Sequence, residues 1–239
     1  MRPPRKRAKA IAQGRGRDHR VVIPFAFELA ARISARPLDA FRNDPTQLAN
    51  ALSELHQATG ADGIVCAAAS EMELHSAGGQ GLDIEQAFAN GPLAASLEAC
   101  RRIRATVGDD AALLAGVTGP ATLARQFSTG LDAGVEAFGA VVKQFCDAGS
   151  DVVVVFEDES AALDEAWRAG LKTADNIARF HQVALLLWSG DGLPSPHKVP
   201  LDAPAPDGLG IITTDRQVPA DADIAALERW VAVVKETQP

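Results

Sequence analysis

The chain has 239 residues, 47% of them hydrophobic, enough to bury one full core as a single α/β barrel or open sheet. A formal net charge of −8 argues against a general nucleic-acid binder, which presents a basic field to phosphates. No apolar run approaches the ~20 residues of a membrane span, and Cys66, Cys100 and Cys146 show neither a C-x-x-C nor a disulfide framework, so the composition reads as a soluble cytoplasmic protein.

The charge is uneven. Residues 1–20 carry eight basic side chains against Asp18 alone. This stretch reads as a solvated helix over the bottom of a barrel, rather than a targeting peptide or nucleic-acid arm, ahead of one domain over 21–239. Val21 to Phe27 is the first strand candidate, and Glu28 and Arg32 follow one helical turn apart. They are either a pair at the strand's mouth or a surface ion pair worth a few tenths of a kcal/mol. From 37 to 60, Leu38, Phe41, Leu48, Leu52 and Leu55 recur at helical spacing, with Asp44-Pro45 as N-cap and first helical residue.

The second strand, Ala61 to Ala69, ends in small residues that leave room for a ligand or for neighbouring side chains, and Glu71 and His75 come after it. A helix over 84–107, broken at Gly91-Pro92, leads to the third strand, Ala111 to Thr118. There Gly119-Pro120 starts a helix whose free N–H groups make a ready site for an anion. Helices over 123–148 lead to Asp151–Phe156, a valine run without polar alternation that reads as a central strand buried on both faces. Chemistry in parallel α/β folds gathers at the C-terminal ends of strands, which makes Glu157 and Asp158 candidates. The competing reading is that Asp158 or Ser160 caps the next helix and the neighbouring acids suit its positive end. A helix over 161–180 and a strand over 183–188 bring the chain to Trp188. Residues 189–208, with five prolines and Asp191, read as an irregular loop; a last strand over 209–213 precedes Arg216 and a helix over 223–236. The strands number about six.

Several pieces, in order, resemble the uroporphyrinogen decarboxylase family, the barrel group that also holds corrinoid-linked methyltransferases. They are Arg5-Lys6-Arg7-Ala8, Phe41-Arg-Asn-Asp-Pro45, Gly60-Ala-Asp-Gly-Ile64, Gly116-Val-Thr-Gly-Pro-Ala-Thr-Leu-Ala124, Ala148-Gly-Ser-Asp151 with Phe156-Glu157, and the segments 183–192 and 210–227. The resemblance implies an α/β fold, a (β/α)8 TIM-barrel-like architecture abridged to about six parallel strands at 189–208. It also implies a tetrapyrrole-related pocket at the C-terminal mouth and a homodimer, with the gap left by missing units covered by the partner or by the proline-rich loop.

The family's decarboxylase equipment does not carry over. Its Arg-x-x-x-Arg matches Glu28 and Arg32, its catalytic Asp falls on Ala69, its late His falls near Arg216, and the chain has no Tyr. The zinc-dependent methyltransferases use His-x-Cys where this chain has Trp188-Ser189-Gly190, and no Cys follows Cys146, so no metal is expected. What remains is Glu157, Glu71 and His75 as acid–base or orienting groups, with Glu28, Arg32, Gly119, Asp158, Trp188, Asp191 and Arg216 around a substrate. The reading is transfer of a methyl group between a small neutral or cationic substrate and a corrinoid carried by a partner protein, with no cofactor held tightly. A porphyrinogen decarboxylase and a non-catalytic binding subunit are the alternatives.

Overall fold

The computed structural model describes residues 2–16, 19–68, 81–158, 165–203 and 209–236. Its strands are β1 (Arg20–Val22), β2 (Gly63–Ala67), β3 (Ala112–Thr118), β4 (Val152–Phe156), β5 (Ala184–Leu187), β6 (His197–Val199) and β7 (Gly210–Thr214). Its helices are α1 (Pro4–Ala12), α2 (Phe27–Ile33), α3 (Leu38–Arg42), α4 (Pro45–Thr59), α5 (Ile84–Ala89), α6 (Gly91–Val107), α7 (Pro120–Gln126), α8 (Leu131–Ala148), α9 (Glu165–Phe180) and α10 (Ile224–Glu236). None of these helices is long and apolar enough to cross a membrane.

All strand pairs are parallel, in two sheets ordered β2-β3-β4-β5 and β1-β7-β6. A hydrogen bond joins one pair of edges, Asp62 N–H before β2 donating to the Val22 carbonyl of β1 at 2.9 Å, while Leu187 N–H of β5 donates to the Pro194 carbonyl in the loop before β6 at 2.9 Å. The valine run becomes β4, inside its sheet, and Val152 to Val155 are all fully buried. Apolar side chains on both faces are what a parallel strand between helical layers requires. Around it the helices start and stop where local chemistry demands. Asp44 accepts from the N–H groups of Thr46 and Gln47 at 2.9 and 3.1 Å, Pro45 opens α4, and Gly60 ends it in the left-handed region at φ 62°.

Three sequence expectations are corrected. The proline-rich stretch is not wholly irregular, because β6 stands between Pro196 and Pro200 and brings the strands among the described residues to seven. It can do so because it is a three-residue strand at a sheet edge, where prolines outside the ladder cost no hydrogen bond. The first strand is shorter than the apolar run: it ends before Pro24, and Phe27 already belongs to α2. Ala68 and the residues flanking β2 stand outside that strand as well.

The basic N-terminal helix lies against the strands' starting ends. Arg7 pairs with Asp62 at 2.7 Å, and Arg5 pairs with Asp151 at 3.2 Å. Each aspartate immediately precedes a strand and ties a neighbouring one: Asp62 accepts from Val22 N–H at 3.0 Å, and Asp151 from Leu113 N–H at 3.0 Å. Lys235 from α10 joins Asp62 at 3.1 Å, and Arg104 from α6 joins Asp151. Burial pushes the Asp151 carboxyl up from its ordinary value, and Arg104, the Leu113 N–H and Arg5 oppose that push. Removing Arg104 therefore leaves the buried carboxylate with the partly exposed Arg5 as its ion-pair partner. Arg104→Met should cost about 1.5–3 kcal/mol in urea denaturation, as loss of a hydrogen bond between charged groups does. Adding Asp151→Asn should recover part of that loss, because the two residues share one interaction. Strictly additive losses would contradict the pairing.

Candidate functional site

β3 and β4 run side by side with Thr118 opposite Phe156, so the residues that follow them, Gly119 and Glu157, emerge together. Gly119 N–H donates to the Phe156 carbonyl at 2.8 Å, and a Cβ on Gly119 would lie 2.6 Å from Glu157 Cγ. A side chain there would push the Glu157 carboxylate from its place. The Glu157 carboxylate then crosses onto the start of α7. Its Oε1 accepts from Ala121 N–H at 3.0 Å and from the Trp167 indole N–H at 2.7 Å; its Oε2 accepts from Thr122 N–H at 3.0 Å and Thr122 Oγ1 at 2.7 Å. A carboxylate offers about four acceptor positions. All are used.

The anion expected at Gly119-Pro120 is thus the chain's own carboxylate. Glu157 caps α7, the helix before it, because strand register brings α7's start to it. Asp158 serves the same turn, its N–H donating to Thr122 Oγ1 at 2.8 Å and its side chain pairing with Arg125.

Beside this turn, three aromatic rings from three strand ends meet. Phe25, after β1, lies 5.3 Å from Phe156 at the end of β4 and 5.8 Å from Trp188 after β5. Phe156 and Trp188 stack at 4.8 Å. Lys198 of β6 places Nζ 5.3 Å from the centre of the Trp188 ring and donates to its carbonyl at 3.0 Å. Trp188 was a sequence candidate, whereas Phe25 and Phe156 were not. The signal for them was an aromatic at a strand's end, too common to single out without knowing which ends meet.

A cavity of 250 Å³ opens at the ends of β6 and β7, lined by Leu201, Asp202, Thr214, Asp215, Arg216, Val218 and Pro219. Thr214 links it to the aromatic floor, since its Oγ1 accepts from Phe25 N–H at 3.1 Å and donates to the Arg216 carbonyl at 2.7 Å. Arg216 pairs with Asp215 at 3.5 Å and its side chain is 78% exposed. Of the eight sequence candidates among the described residues, Arg216 alone lines this cavity.

The others are dispersed. Glu28 and Arg32 do not pair with each other: Glu28 faces Arg42 at 3.5 Å, while Arg32 donates to the Ala222 carbonyl at 2.9 Å. The reason is that Arg42 is almost buried and its charge needs a nearby carboxylate. Gln217, in the amide orientation that satisfies both groups, accepts from the N–H groups of Phe27 and Glu28 at 2.9 and 2.7 Å. Asp191 is exposed on the loop after β5. Glu71 and His75, and the expected decarboxylase position Ala69, lie outside the described residues. Trp167 was missed, although a buried indole N–H must find an acceptor.

Among the described residues no group of three or more His, Cys, Asp or Glu could hold a metal ion. The three thiols are buried in β2, α6 and α8, and burial raises that of Cys146 to about 12.

No family model matches the chain, and the comparison with curated proteins gives no match. Among solved structures, a methyltransferase from Methanosarcina mazei aligns over 99% of this chain and 99% of its own, with a TM-score of 0.76 and 14% sequence identity. The chain shares a methyltransferase's fold. That likeness concerns shape, and within this methyltransferase-like fold the node around Glu157 is a structural anchor that can be tested directly. Glu157→Gln turns one end of an all-acceptor group into a donor facing donors, and should cost about 1–3 kcal/mol of stability. An unchanged melting temperature would contradict the four-bond geometry.

Proposed function

We propose that this chain transfers a methyl or other one-carbon group to or from a small substrate held where the strands end. The observation that carries the reading is the likeness to the M. mazei methyltransferase across 99% of both chains. In this reading the two parallel sheets, joined at one edge through Val22–Asp62, act as one abridged barrel of the kind the uroporphyrinogen decarboxylase family uses. The mouth is the ring cluster of Phe25, Phe156 and Trp188 together with the adjoining cavity at Thr214–Arg216.

The chemistry of that mouth favours a neutral or cationic substrate. Among the described lining residues, Asp202 and Asp215 stand against one cation, Arg216. A substrate carboxylate ~4 Å from an uncompensated one would cost on the order of 4 kcal/mol at an effective dielectric of 20. This disfavours the polycarboxylate of a porphyrinogen decarboxylase. Phe156 and Trp188, both partly exposed, offer aromatic contact to a conjugated macrocycle, so the second reactant is proposed to be a corrinoid delivered by a partner protein. Glu71 and His75 are proposed to orient the substrate or move a proton, while Glu157 holds α7. A zinc-thiolate site does not fit the buried thiols. A homodimer completes the proposal.

A second reading has its own support. Glu157, the foremost acid–base candidate, has both oxygens engaged by the protein, as a binding subunit without catalysis would allow.

The test is a visible difference titration with methylcobalamin, followed by addition of small neutral and cationic acceptors. Saturable binding, weakened about three- to tenfold in Trp188→Ala, with demethylation on adding an acceptor, is the expected result. Binding without demethylation selects the binding-subunit reading. Absence of any binding by the folded protein overturns the corrinoid proposal.

A further inference from the structure

A second cavity of 250 Å³ lies between α9 and the loop after β5, bounded by Trp167, Arg168, Leu171, Lys172, Gly192 and Leu193, with Asp175 at its edge. Its floor is apolar. Trp167 is 1% exposed and Leu171 is 3% exposed. The loop passes over them at Gly192, where φ is +119° and the nearest Trp167 ring atom would lie 3.6 Å from an added Cβ. A side chain there would be strained and would project towards the floor, so glycine leaves the space open.

The rim is cationic. Arg168 and Lys172 are both exposed and lie at i and i+4 on α9, one turn apart. Like charges so placed destabilise a helix by a few tenths of a kcal/mol. Asp175 does not offset them, because it pairs with Arg179 at 2.8 Å, and among the described residues neither Arg168 nor Lys172 takes part in a salt bridge. Two uncompensated positive charges over an apolar floor run against the net charge of −8 for the whole chain.

We propose that this cavity is a binding site for a small amphiphilic anion, a short-chain carboxylate whose apolar end lies on Trp167 and whose carboxylate meets Arg168 and Lys172. The volume sets the size: at ~30 Å³ for each water-sized group, it holds about eight non-hydrogen atoms. The site is distinct from the mouth cavity, which has an acidic lining and shares no residue with it. It is also one hydrogen bond from the strand ends, because Trp167, whose benzo edge faces Gly192 at the floor, donates its indole N–H to Glu157 Oε1. An occupant therefore touches the group that fixes Glu157 and the start of α7.

Hexanoate, with eight non-hydrogen atoms, is the probe, and hexylamine is its charge-reversed control. Protein labelled with 15N at the indole nitrogens gives one signal for each of the three tryptophans. The Trp167 signal is assigned by its loss in Trp167→Phe. Hexanoate should shift that signal saturably, and hexylamine should not. R168A/K172A should weaken hexanoate binding about tenfold, as two exposed charge contacts would. R168E/K172E should bind hexylamine in preference to hexanoate. Both pairs change exposed side chains, and retained dispersion of the indole signals confirms the fold. Equal shifts with both probes, no shift at Trp167, or unaltered hexanoate affinity in R168A/K172A would each overturn the proposal.

Discussion

Two buried aspartates at strand starts, neutralised by a basic helix, are the constraint on which the other features depend. Asp62 and Asp151 are 3% and 0% exposed, and each accepts a backbone N–H that fixes one strand's start against its neighbour. Buried carboxylates are costly unless paired and hydrogen-bonded. Their partners come from three distant parts of the chain: Arg5 and Arg7 on α1, Arg104 on α6 and Lys235 on α10. This gives a structural role to two of the eight basic residues in 1–20: Arg5 and Arg7 are counter-charges of the acids that precede β4 and β2. The two pairs also link regions on which local forces have little hold, since more than 140 positions, 5 to 151, separate Arg5 from Asp151.

β4 shows how that constraint reaches the other end of the molecule. It carries a carboxylate before its first residue and another after its last, with four fully buried valines between. Asp151 anchors the start to helices α1 and α6, and Glu157 anchors the end to α7 and Trp167. With both ends pinned, Phe156 is held in place to stack on Trp188 and meet Phe25. The three rings therefore pack together at the strand ends, and the polar groups Asp202, Asp215 and Arg216 line a cavity to one side. Preorganised apolar surface with a few polar groups at its edge is the usual form of a small-molecule site.

How far the sequence discloses this differs from element to element. The β4 strand, the Asp44-Pro45 start of α4 and the placing of α1 beneath the strands follow from local signals: an unbroken apolar run, a cap with proline, and a cluster of cations. β6 was hidden because its pairing depends on β7 and because prolines on either side obscure three residues of strand. At the site, Glu157 and Trp188 were singled out by position alone. Their roles were not legible, since the donors to Glu157 lie 35 and 36 positions before it and 10 after it, and only the β3–β4 register brings them together. Glu28 and Arg32 misled for the converse reason: a spacing that permits a pair does not compel one when Arg42 and the Ala222 carbonyl compete.

The central claim is that α1's cations hold the strand starts by neutralising Asp62 and Asp151. Native-state hydrogen exchange of the Val22 and Leu113 amides in an Arg5→Leu/Arg7→Leu variant tests it most directly, because those two N–H groups are the ones the aspartates accept. The account predicts a marked loss of protection at both amides, larger than at Val153 within β4. Protection at Val22 and Leu113 equal to that of the unaltered protein would contradict it.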